Sequence, residues 1–218
     1  FTDISKSLAG IDSLGPFAFI SGGLGKHDIE EIGRLNAGKT VSPSFDVGGD
    51  TYVMSNAIIP RDILAQLQLW AAYMVDPAFR PEAYGQYKRV IESIYANAST
   101  TPGQVLQNNI GKYIYNDDPR FYLQSKEELL DLKVQDFAEL LKEAREHSAI
   151  EITIVGDFEE DKIINAVAQT FGALPTRDSQ FANYNRSAVT FPDEGKDVII
   201  PHKGDPDQAI IQIYWPTD

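Results

Sequence analysis

Three histidines and no cysteine make up the imidazole and thiolate stock of this chain: His27, His147 and His202. A zinc-activated water needs several such side chains converging, commonly two imidazoles about one helical turn apart with a carboxylate beside them. The stretch His27-Asp28-Ile29-Glu30-Glu31 comes nearest. It copies the His-x-x-Glu-His zinc helix until its last position, where a carboxylate stands in place of the second imidazole. Acidic residues that open a helix are also ordinary capping chemistry, since the free amides and the helix dipole favour negative charge there. The expectation is a solvated first turn: His27 and Glu30 are not assigned as metal or catalytic groups, and no metal site is expected.

Other chemistries fare no better. Gly22-Gly23-Leu24-Gly25-Lys26 resembles a phosphate loop in composition, but no apolar strand precedes it and no Ser or Thr follows the lysine to hold magnesium. A turn between two helices is the better reading. Ser21-Gly22-Gly23 is the closest approach to a nucleophile elbow and lacks its G-x-S-x-G spacing. The carboxylate pairs Glu30/Glu31, Glu127/Glu128 and Glu159/Glu160 are sequence neighbours at helix starts, where they complement the dipole. Without cysteine there is no disulfide, thiolate site or cysteine nucleophile. The catalytic and metal-ligating sets of this chain are therefore read as none. Tyr113, Tyr115 and Tyr122, around the Asp117-Asp118-Pro119 turn, are candidates for a partner-facing surface.

The elements that would carry any site follow from periodicity. The 218 residues are 43% hydrophobic, ample for a packed core. A formal net charge of -13 disfavours phosphate backbones and anionic membrane surfaces. No run approaches the roughly 20 apolar residues of a membrane span. The chain opens on Phe1 rather than Met, the expectation for a piece of a longer polypeptide.

Residues 1–21 read as a broken helical stretch (Ile4, Leu8, Ile11, Leu14), and 28–35 as a short helix. Thr40–Val47 and Thr51–Ile58 read as a hairpin turning on Gly48-Gly49-Asp50. Helices are expected from Pro60 to Asp76, from Pro81 to about Ala98 and from Pro102 onward. Ser125 and Glu128 form a capping box, and a helix runs from Val134 to about Glu146. Ile150–Val155 alternates as a strand, Asp157 caps a helix bearing Ile163, Ile164, Val167 and Phe171, and Val198–Pro201 and Gln208–Trp215 are further strands. Thr176–Arg186 is the best linker. The expected fold class is α+β: two layers, a mixed and mainly antiparallel sheet packed with a cluster of helices. The expected division is one domain over 1–178, then 179–218 as linker and first strands of a following homologous domain.

Several segments, in order, resemble the pitrilysin/insulinase family of zinc metallopeptidases. They are Gly22–His27 with Asp28–Leu35 and Ala37-Gly38-Lys39; Asp76–Glu82; Asp118–Phe121 with Ser125–Leu132 and Asp136-Phe137; Ile152–Asp157 with Phe171–Pro175; and His202-Lys203-Gly204 with Asp207-Gln208-Ala209. The resemblance implies one α/β domain of a clamshell made from two homologous halves. Zinc there sits in the catalytic half, on HxxEH and a later glutamate. The corresponding early helix here, within 1–21, holds no histidine, and Gln86, Tyr87 and Lys88 stand where the third ligand is expected. The family reading is thus a non-catalytic domain of the inactive half, which closes the chamber over a peptide. It carries no cofactor of its own and partners the catalytic half of the same polypeptide or a partner subunit. The alternative is a stand-alone non-catalytic assembly subunit of processing-peptidase type. Many bacterial members are exported, which makes the periplasm the expected compartment.

Overall fold

The computed structural model describes residues 6–48, 51–178 and 189–215. The chain forms two compact units: Phe1–Ile11, Gln86–Leu132 and Asn185–Asp218 make one, and Asp12–Gly85 with Lys133–Tyr184 make the other. The helices in chain order are α1 (Ile11–Pro16, continued by a wider turn over Phe17–Ser21), α2 (Ile29–Leu35), α3 (Ile63–Val75), α4 (Ala83–Asn97), α5 (Pro102–Ile114), α6 (Lys126–Asp131), α7 (Val134–His147) and α8 (Glu160–Gln169). One antiparallel pair, β1 (Asp46–Val47) and β2 (Tyr52–Val53), is the sheet among the described residues.

The unit that contains α2, α3, α7 and α8 is built on aromatic packing. Phe19 meets Phe45 at 4.6 Å, Tyr73 at 5.3 Å and Phe79 at 5.9 Å between ring centroids, and Phe137 stands edge-on to Phe45 at 5.9 Å. Offset and edge-to-face contacts of this kind bring the positive ring edge onto a negative face. The Tyr73 hydroxyl donates to the Ile20 carbonyl at 3.0 Å, an acceptor in the widened turn after α1. Burial pushes that hydroxyl's pKa well above the usual phenol range.

In the other unit, Tyr87, Ile91, Val105 and Leu129 form the core, and the buried Tyr87 hydroxyl donates to the Leu129 carbonyl at 3.1 Å. Gly111 lets α5 lie against the Phe121 carbonyl, which a Cβ would overlap. The turn after α5 places Asn116 and Asp117 in the left-handed region, φ 53° and 59°. It then buries Asp118 and Arg120 as a forked pair, with guanidinium donors at 2.9 and 2.6 Å from the two carboxylate oxygens.

The helical expectations hold, including the Ser125 capping box: Glu128 N–H donates to the Ser125 hydroxyl and the Ser125 N–H donates to Glu128. Ile4 and most of the Thr176–Arg186 linker lie outside the described residues, as do Gly49 and Asp50 of the hairpin turn. Two expectations are corrected. Asp157 does not cap α8; Glu159 occupies the N-cap position, without a side-chain cap, and pairs with Lys162 at 2.6 Å.

Of the expected α+β fold class, two layers with a mixed and mainly antiparallel sheet packed with a cluster of helices, the mainly antiparallel sheet is also corrected. Helices dominate, and among the described residues strand pairing covers four residues beside isolated bridges from Leu24 to His27 and Pro77. Ile150–Val155, Val198–Pro201 and Gln208–Trp215 belong to no ladder among the described residues. An alternating sequence makes a strand only where another backbone meets its edge.

Over 40–45 and 54–59, side chains take the place of the ladder. Gln66, fully buried on α3, accepts from Ser42 N–H at 3.1 Å and donates to the Ser42 carbonyl at 2.9 Å, as a neighbouring strand would. Asn56 donates to the same Gln66 oxygen at 2.6 Å and to the Thr40 carbonyl at 3.0 Å. Asp62 accepts both the amide and the hydroxyl of Thr40, at 2.8 and 3.1 Å.

Candidate functional site

The residues closest to a metal motif sit at the exposed start of α2. Asp28 caps the helix by accepting from Glu31 N–H at 2.8 Å, and the Glu31 carboxylate accepts from Asp28 N–H at 3.2 Å. His27 Nδ1 lies 3.6 Å from a Glu31 oxygen, with both side chains nearly half exposed, and Glu30 turns to Arg34 at 3.9 Å. Both carboxylates are thus engaged in the helix's own electrostatics. His147 is exposed at the end of α7. Among the described residues no three His, Asp or Glu side chains come together as a metal site. The described residues do not fit a zinc ion. At the place of a third ligand, Tyr87 is core, while Gln86 and Lys88 are exposed.

The glycine loop after α1 has its geometry inverted relative to a phosphate cradle. An anion site presents amides. Here the amides of Gly23, Leu24 and Gly25 donate to the carbonyls of Ile20, His27 and Asp76 at 3.0, 2.8 and 3.0 Å. The loop carbonyls instead face a cation: Arg80 donates to Gly22 at 2.6 Å, Leu24 at 2.8 Å, Gly25 at 3.0 Å and His27 at 3.3 Å. Gly23, at φ 70°, is needed for this approach, since a Cβ would sit 2.6 Å from the His27 carbonyl oxygen and 2.9 Å from an Arg80 nitrogen.

Arg80→Ala is expected to lower stability by about 2–3 kcal/mol, because charge-assisted bonds to partly buried carbonyls are lost. Arg80→Lys recovers little, since one ammonium cannot span four acceptors. Thermal unfolding of the two variants beside the parent measures both effects.

Sequence reading did not single out Arg80, nor the Asp118–Arg120 pair. The Asp-Pro-Arg order was a local signal for the second, because an Asp two residues before an Arg can cap the turn and meet the guanidinium. Nothing local indicated the first, whose acceptors lie more than fifty residues away. Tyr115, one of the three partner-facing candidates, packs inside its own unit at a tilt against Phe121 at 4.2 Å and Phe191 at 5.8 Å. Tyr122 and Tyr113 are half-buried, with Lys112 over the Tyr122 ring at 5.5 Å.

An open groove of about 710 Å³ lies between the Pro60–Asp62 turn with α3 and α8 with the segment leading into it. Ile63, Leu64, Phe158 and Ile163 give it an apolar floor, and Arg61 and Glu159 stand among its charged lining. Arg61 is paired to Asp62 at 3.2 Å. The groove brings together no nucleophile and base, so its chemistry is that of a contact surface.

Residues 131–218 match the family model described as the Peptidase M16 inactive domain. Solved structures share the fold at low identity. The periplasmic protease PqqL from Escherichia coli is 16% identical over 90% of this chain and 22% of that one, with a TM-score of 0.68. A peptidase M16 inactive domain from Pseudomonas fluorescens is 16% identical over 84% of this chain and 46% of that one, TM-score 0.59. A protease from Helicobacter pylori is 11% identical over 85% and 46%, TM-score 0.61. This chain therefore spans less than half the length of each of these proteins. No curated protein sequence matches it.

Proposed function

We infer that this chain, an inactive-domain type of the pitrilysin/insulinase (M16) metallopeptidase family, is a non-catalytic wall of a peptide-enclosing chamber. The observation that carries the reading is the inactive-domain match over residues 131–218. In a two-half protease, a domain without zinc still contributes surface, charge and the interface on which closure depends. The zinc and its activated water belong to a catalytic half, on the same polypeptide or a partner subunit, and this chain supplies no ligand to them. We assign residues 1–178 to the non-catalytic domain and 179–218 to a linker and the opening of a following homologous domain.

Two measurements test this. The first is the parent gene: a coding sequence carrying HxxEH supports the chamber reading, and a short gene without it supports a stand-alone assembly subunit. The second is zinc content by plasma mass spectrometry after equilibration with excess zinc and dialysis, run with a fluorogenic peptide assay. The expected result is substoichiometric zinc and no cleavage. One zinc per chain, lost with hydrolysis in His27→Ala, overturns the reading.

A further inference from the structure

We propose that His202 is a protonation-sensitive latch on the segment Ala209–Trp215. Gly204 N–H can only donate, and it lies 3.2 Å from His202 Nδ1. Nδ1 must therefore offer its lone pair, which leaves the ring hydrogen on Nε2 in the neutral imidazole. Nε2 then donates to the Gln208 carbonyl at 2.9 Å. One neutral ring thus spans the whole turn, holding it at both ends. Inside the turn, Asp207 N–H donates to the Asp205 carboxylate at 3.0 Å and Gln208 N–H to the Asp205 carbonyl at 3.1 Å.

The clasped turn is itself tied down within its unit. Lys203 N–H donates to the Ser99 carbonyl at 2.7 Å, and Gly204 lies so close to the Thr100 carbonyl that a Cβ would overlap it. Beyond Gln208, no backbone hydrogen bond holds 209–215 among the described residues. Ile211, Ile213 and Trp215 point into solvent at 89%, 70% and 75% exposure. An uncharged, β-branched and aromatic run of this kind is a template for strand pairing. His202 therefore holds the turn that leads into it.

A second proton enters at Nδ1, the lone pair Gly204 uses. Two N–H groups then face each other, the Gly204 bond is lost and the clasp survives only at Gln208. The charged side chains of its own loop are Lys203, Asp205 and Asp207. The α4–α5 junction packed against the turn, residues 97–104, contains no ionisable side chain.

Long-range ¹⁵N–¹H NMR of the full chain reads the ring tautomer, and hydrogen exchange, corrected for the intrinsic pH effect, reads the Gly204 amide. The expected result is the Nε2–H tautomer at high pH. Gly204 protection should fall about fivefold as His202 titrates, the loss of one neutral hydrogen bond, and the amides of 209–215 should shift with the same midpoint. His202→Gln, which still accepts and donates but carries no titrating proton, should keep the protection and lose its pH dependence. An Nδ1–H tautomer, protection indifferent to the ring's titration, or an unchanged pH profile in His202→Gln would overturn the latch. Core methyl spectra report separately whether each variant is folded.

Discussion

Arg120→Met is expected to remove about 3–5 kcal/mol of stability, because it leaves the buried Asp118 carboxylate without its forked donor. The Arg120 side chain is fully buried and that of Asp118 is 4% exposed. The remaining cation, Lys6 at 3.2 Å, comes from a side chain 60% exposed and supplies a single contact. Urea unfolding reads the loss as a lower midpoint at unchanged slope. Arg120→Lys should recover only part, since an ammonium cannot meet both carboxylate oxygens. Removing both charges, as Asp118→Leu with Arg120→Met, should cost less than Arg120→Met alone, because no unpaired charge stays buried.

The same pair gives a pH dependence. The Arg120 guanidinium, against the opposing effect of burial, holds the Asp118 carboxyl well below the usual carboxylate range. Its folded pKa is thus lower than its unfolded one, about 3.9. The stabilisation is therefore complete above the unfolded value and lost as pH falls below about 4. The double variant should unfold with a flatter acid limb than the parent; an identical limb would show that the pair does not carry it.

Phe137→Ala should cost a further 3–5 kcal/mol or so, the range for emptying a fully buried aromatic site. Phe137 is fully buried on α7, edge-on to Phe45, and its ring atoms lie 2.8 Å from where a Cβ on Gly15 would stand. That contact supplies an internal check. Gly15→Ala alone should destabilise by overpacking, roughly 1–3 kcal/mol. In the Phe137→Ala background the added methyl meets a cavity and its cost should shrink or change sign. Strict additivity of the two changes in a double-mutant cycle would show that α1 and α7 are not coupled through this ring.

The helices were legible because their signals are local. Pro60 and Pro102 open turns where a missing amide costs nothing, Ser125 and Glu128 satisfy each other's amides three residues apart, and Ile63, Leu67 and Trp70 recur at the helical period. The capping role of Glu31 and Glu128 was likewise within reach of four residues of sequence. The strands were over-read for the same reason. Ile150–Val155 has the alternation of a strand, yet alternation specifies only two faces. Its edges need another backbone, and the six residues cannot encode one.

What the sequence determined alone is the supply: three scattered imidazoles, no thiol, acidic helix starts, and the spacing of eight helical segments. What only the tertiary structure decided is where main-chain polar groups find partners across long separations. Gln66 substitutes for a strand beside Ser42, Arg80 gathers the carbonyls of a glycine loop whose composition resembles an anion cradle, and His202 bridges Gly204 and Gln208 across a turn. Each depends on a donor and an acceptor brought within about 3 Å by packing, and hydrogen bonds are short-ranged while sequence patterns report only a residue's own turn or strand.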